Sequence, residues 1–156
     1  METSQQLANR FREVLLSGKW IANTNFKDQL AQVSMEKAVQ KVGSINSIAA
    51  LTFHVNYYIA GVLNVLKGGD LEIRDKFSFD LPPITSIEDW ERLKQEMWEN
   101  AAQFAQHVEA LSEKKLAETF VKEQYGTYHR SIEGMIEHCY YHLGQIVLIR
   151  KLLEET

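Results

Sequence analysis

The chain has 156 residues, of which 45% are apolar and 24% charged, enough for one domain with a sizeable core and short for two. A net charge of -4 without a basic block leaves out the field that a nucleic-acid backbone requires, so no nucleic-acid partner is expected. A single cysteine, Cys139, cannot form an internal disulfide, and the opening METSQQLANRF has no basic-then-apolar leader, which together point to the cytoplasm.

Only 2 Pro and 8 Gly interrupt the chain, which favours long helices over a turn-rich fold. The first helix is expected over about residues 4–16, where Leu7, Phe11, Val14 and Leu15 recur at helical spacing before Ser17 and Gly18 end it. Residues 19–43 read as a turn with one or two short helices. Asn25, followed by Asp28 and Leu30, can start a turn there, whereas Ser34 with Lys37 does not make a capping box.

The second helix is expected over about residues 47–66, opened by Asn46 and closed by Gly68 and Gly69. Apolar residues on nearly every side, from Ile48 through Phe53 to Val65, make it the central element of the core. Residues 42–66 carry no charge and are long enough to cross a bilayer. They also carry Asn46, Thr52, His54, Asn56 and Asn64, so a buried helix explains them better and no membrane partner is expected. Residues 70–84 form an irregular connection ending in Pro82 and Pro83; within it KFSFDL alternates like a strand that has no partner.

Thr85 or Ser86 caps a third helix running to about Leu111, with Glu88 and Asp89 in its first turn. After a polar connection the fourth helix is expected from Arg130 or Ser131 to about Leu153. The pattern is all-α, a four-helix bundle with long crossover connections, in one domain spanning residues 1–156.

The chemistry lies on the second and fourth helices. His138 and His142 stand four residues apart, about 40° apart around the helix axis, so their rings reach a common point. Met135, Tyr141 and Gln145 sit beside that face. A divalent ion needs a further protein ligand, and His54 is the best candidate, because an imidazole in so apolar a helix demands a hydrogen bond or a metal. The same three residues also read as histidines that serve packing, and the spacing by itself leaves both readings open. His107 and His129 are poorer candidates, the first at the polar end of a helix and the second in a connection. Cys139 reads as packing or as thiol chemistry, and Tyr57, Tyr58, Tyr140 and Tyr141 as core or cleft-edge residues. HExxH is absent, no Glu-x-x-His pair suits a di-iron bundle, and no phosphate loop or serine elbow is present.

Two segments resemble the DinB-like (DinB/YfiT) superfamily of four-helix metal-binding proteins, which includes bacterial thiol transferases and maleylpyruvate isomerases. They are SINSIAALTFHVNYYIAGVLNVLKG, with its central histidine, and IEHCYYHLGQIVLIRKL, in which paired histidines join Tyr141, Gly144 and Gln145 in fixed order. Trp20 adds support, and the likeness spans about residues 5–153. The resemblance implies that His54, His138 and His142 bind one divalent transition metal, nickel or zinc first, with iron, manganese or cobalt as alternatives. It also implies a homodimer, a small-molecule substrate and, in the transferase branch, a low-molecular-weight thiol cosubstrate. A thiol or water activated at the metal is then expected to carry out transfer or hydrolysis, with Gln145 and Tyr58 as catalytic candidates. The competing expectation is a non-catalytic helical protein that binds metal or a small ligand in a stress response.

Overall fold

The computed structural model describes residues 2–155. Helix α1 (Thr3–Arg12) buries Leu7, Ala8 and Phe11, and its path continues through a wider π-type turn, Glu13–Ser17, that buries Val14 and Leu15. Gly18 ends it because only a glycine fits there: a β-carbon would lie 2.4 Å from the Glu13 Cα. Two short helices follow, each opened by a side-chain cap. Asn25 Oδ1 accepts from the Asp28 amide at 2.8 Å to start α2 (Phe26–Leu30), and its Nδ2 donates to the Gly18 carbonyl at 2.9 Å. Ser34 caps α3 (Met35–Val39) through the Lys37 amide, without the reciprocal half of a capping box.

Helix α4 (Ile48–Leu66) starts one residue later than Asn46 implies, because the Ser47 hydroxyl accepts from the Ala50 amide at 3.1 Å. It ends at Lys67 and Gly68, where φ of 97° suits glycine. Among the described residues it is the one helix long and apolar enough to cross a membrane, yet it lies between α5 and α7 with none of its apolar residues exposed. The hydroxyl of Thr52, fully buried, donates to the Ile48 carbonyl at 2.8 Å, which removes the cost of hiding it.

KFSFDL does not form a strand. Asp75–Phe77 is a 3-10 turn instead, and the Tyr57 hydroxyl pins the preceding residue to α4, accepting from the Arg74 amide at 2.7 Å and donating to its carbonyl at 2.9 Å. With no second strand to pair with, tertiary docking decides the shape of this segment. Ser86 and Asp89 form a reciprocal capping box that opens α5 (Ile87–Glu109). A short α6 (Glu113–Leu116) and a 3-10 turn, Glu123–Tyr125, lead to α7 (Tyr128–Glu154). Helix α7 begins two residues before the expected start because Thr127 Oγ1 accepts from the Arg130 amide at 3.1 Å.

The four longest helical segments pack in a ring, α1 against α5, α5 against α4, α4 against α7 and α7 back against α1. Phe11 of α1 and Phe104 of α5 meet at 4.3 Å, and the buried Trp90 indole donates to the Val33 carbonyl at 2.9 Å, tying the α2–α3 segment to α5. The fold is all-α among the described residues, apart from an isolated β-bridge between Thr119 and Thr127. Its value for function is that α4 and α7, the two histidine-bearing helices, lie side by side with their backs anchored in the core.

Candidate metal centre

Regular helical spacing places His138 and His142 on consecutive turns of α7, and α4 brings His54 to face them. The three imidazoles meet through the same atom. His54 Nε2 lies 3.1 Å from His138 Nε2, and His142 Nε2 lies 3.0 Å from it. One nitrogen from each ring can be chosen so that all lie within 4.8 Å of one another. His54 and His142 are buried and His138 is half-buried.

The outer nitrogens explain why the inner ones converge. His54 Nδ1–H donates to the Ser78 carbonyl at 3.2 Å, and His142 Nδ1–H donates to Gln145 Oε1 at 2.6 Å. Neutral imidazole has one N–H, so these two bonds leave both Nε2 atoms as lone pairs directed at His138. His138 has at most one proton to share between them. A cation held among the three nitrogens satisfies all of them at once, and nitrogen donors of this type suit zinc, nickel, cobalt or iron better than calcium or magnesium. Acceptors behind metal-ligating histidines commonly set ring orientation in this way.

Electrostatics favours the same state. Burial, followed by repulsion from His142 and His54, pushes His138 down to about 4. Burial likewise lowers His142, partly offset by Gln145, and burial with repulsion from His142 lowers His54 against the opposing pull of Ser78 and Asp75. The cluster is therefore neutral at pH 7 and ready to donate its lone pairs.

The surroundings come from a segment that helical periodicity does not describe. The Phe79 ring stacks on the His54 ring at 4.0 Å and 8°, and the neighbouring Ser78 supplies the carbonyl. Tyr58, one turn after His54, stands edge-on to His54 at 5.1 Å and to His138 at 5.2 Å, and its hydroxyl donates to Asp75 Oδ1 at 2.7 Å. Burial and that bond both raise the phenol above its ordinary value. His54, Tyr58, Gly134, Met135 and His138 line a cavity of about 330 Å³ that opens the cluster to solvent.

The structure brings together the three histidines that the sequence singles out, and Tyr58 and Gln145 both reach the cluster. Gln145 does so through His142 Nδ1 and does not line the cavity beside Tyr58. Ser78, Phe79 and Asp75 were not foreseen, since no periodic signal marks a loop residue that docks on a distant ring. Cys139 is fully buried and burial alone pushes its thiol far up, so it serves packing. His129 pairs with Glu133 at 3.6 Å, and neither it nor His107 joins the cluster. Tyr57 and Tyr140 bond backbone carbonyls, of Arg74 and Trp20, while Tyr141 is exposed beside His142.

A model of the DinB superfamily matches residues 23–146, a span that includes all three histidines. No curated protein and no solved structure matches the chain.

Proposed function

We propose that this chain, which belongs to the DinB superfamily, holds one divalent transition metal ion through the Nε2 atoms of His54, His138 and His142 and uses it to activate a small thiol or water for transfer or hydrolysis. The observation that carries this reading is the convergence of the three Nε2 atoms, with the outer N–H groups of His54 and His142 tied to Ser78 and Gln145. When bound, such an ion lowers the pKa of a thiol or water beside it and so supplies a nucleophile at neutral pH. Nickel and zinc come first by donor chemistry and resemblance, followed by iron, cobalt and manganese.

The chain's own residues have separable tasks. Ser78 and Gln145 fix the tautomers, Phe79 covers the outer face of His54, and the cavity beside Tyr58 and Met135 admits the reactant. Tyr58 is placed to contact that reactant, its own proton being committed to Asp75. A cytoplasmic homodimer accompanies this reading. Such a dimer would draw on the exposed Trp20, Ile21, Tyr141 and Leu148, since α4 buries its apolar side chains within the chain.

Elemental analysis of tag-free protein tests the proposal. About one transition metal per chain is expected, lost from each of His54→Ala, His138→Ala and His142→Ala while the helical circular dichroism persists. Stoichiometric metal retained in the His54→Ala variant would refute the three-histidine site.

A further inference from the structure

The cavity at the metal centre does not end at Tyr58. Tyr58 and Gly134 also line a second, larger cavity of about 630 Å³, which runs from the centre to the loop between α6 and α7. Its floor is apolar, formed by Val62, Leu71, Ile73 and Phe120, all buried or half-buried. Its charged lining is unbalanced. Arg130 is the one cation, and Glu137 already holds it through two bonds of 3.3 and 3.1 Å. Asp75 and Glu123 also line the groove, and neither takes part in an ion pair among the described residues. Asp75 accepts the Tyr58 hydroxyl through one oxygen, and both carboxylates are exposed to solvent at the groove wall.

The loop that completes the groove is held in a costly conformation. Val121, a β-branched residue, has φ of 54°, in the left-handed region. It is kept there by the Thr119–Thr127 bridge and by the Phe120 amide donating to the Gly126 carbonyl at 2.9 Å. This bend turns Phe120 and Glu123 into the groove.

We propose that this groove selects the reactant of the metal centre by charge, accepting a small thiol that carries a cationic head group, read by Asp75 and Glu123, over one that carries an anionic head. The proposal rests on the thiol-activating reading above. The thiol sulfur reaches the three-histidine centre while its head lies beyond Tyr58, against two carboxylates that no ion pair among the described residues neutralises. An anionic head there meets the same carboxylates as repulsion, and Arg130 is not free to offset it.

Two thiols of similar size whose heads coordinate metal poorly test this: thiocholine, with a trimethylammonium head, and 2-mercaptoethanesulfonate. Each is titrated into cobalt-loaded protein at low salt, and the thiolate-to-cobalt absorption gives its Kd without turnover. The two thiols differ in acidity, so the deciding quantity is the ratio of their Kd values in the wild-type protein divided by the same ratio in an Asp75→Asn, Glu123→Gln double variant. Both substitutions are isosteric, and Asp75→Asn keeps an acceptor for Tyr58. We expect the preference for thiocholine to fall by roughly tenfold or more in the double variant, and to shrink in the wild type as salt is added. An unchanged ratio overturns the charge selection and leaves the thiol reading standing. No thiolate band with either compound on a cobalt-loaded protein, or failure of cobalt to load, removes the thiol reading and the selection with it.

Discussion

Replacing Gln145 with Ala separates two roles that one position on α7 could fill. In the structure Gln145 Oε1 accepts from His142 Nδ1–H at 2.6 Å, and His142 is only 6% exposed. Loss of the acceptor leaves a buried N–H without a partner, which costs about 1–3 kcal/mol, or lets the ring adopt the tautomer that turns a proton toward the metal position. Since about 1.4 kcal/mol is tenfold in an equilibrium constant, the range for metal affinity is roughly five- to 150-fold. A third cavity, lined by Ser44, Asn46 and Leu148 among others, also borders Gln145, so water can take over part of the bond. The lower part of the range therefore applies, and we expect Gln145→Ala to bind zinc about tenfold more weakly in competition with a chelator. Gln145→Glu, which keeps an acceptor, should bind at least as well as wild type. Zinc affinity within twofold of wild type in Gln145→Ala would refute the orienting role and return Gln145 to contact with substrate.

The lowered histidines give the metal-free protein a pH dependence with a defined sign: their folded pKa values lie below the unfolded value of about 6.5, so the folded state binds fewer protons and stability falls as pH drops from about 6.5 toward about 4, the value at His138. Urea midpoints across that window should decline, and less steeply in His138→Gln. Cys139, buried and with its thiol pushed up, should resist a thiol reagent in the native chain under conditions that modify the urea-unfolded chain completely. Val121→Asn should raise stability by about 1 kcal/mol in urea unfolding, because asparagine tolerates the left-handed backbone that valine resists. Phe79→Ala uncovers the His54 ring and should weaken zinc binding severalfold while leaving helix content unchanged; equal affinity would show that the stack at 4.0 Å does not hold the ligand.

The parts legible in the sequence are those governed by helical period. Ile48 to Leu66 announces a buried helix by its apolar sides, and four-residue spacing by itself puts His138 and His142 on one helix face. Their meeting with His54 was inferable from the cost of burying an imidazole and from the family resemblance. Helix starts shifted by one to three residues, the cap of α4 from Asn46 to Ser47 and the first residue of α7 from Arg130 or Ser131 back to Tyr128, because several candidate side chains stand in a row and the one that reaches an amide is chosen by the chain's approach. KFSFDL alternates like a strand yet forms none, as expected of an irregular connection, because alternation makes a strand only when a neighbour accepts its ladder. Here Phe79 and Ser78 instead find the His54 ring and its N–H, contacts between residues 24 and 25 positions apart in sequence that no local pattern encodes.

This division has a consequence for how the site works. The three imidazoles ride on α4 and α7, whose opposite faces are locked in the core, so their approach to one another is set by the same packing that makes the fold stable. The groups that line the larger cavity beside it are different in kind: Asp75 comes from the connection after α4, and Phe120 and Glu123 from the loop before α7. Loops tolerate substitution far better than helix faces that pack in a core. A chain could therefore keep the same helices and the same three nitrogens while exchanging the charge of these two loops and, on the proposed reading, the molecule that the groove accepts. Conservation of the centre in such a chain would then predict the ion it holds, and the sign of the charge at positions 75 and 123 would predict the head group of its partner.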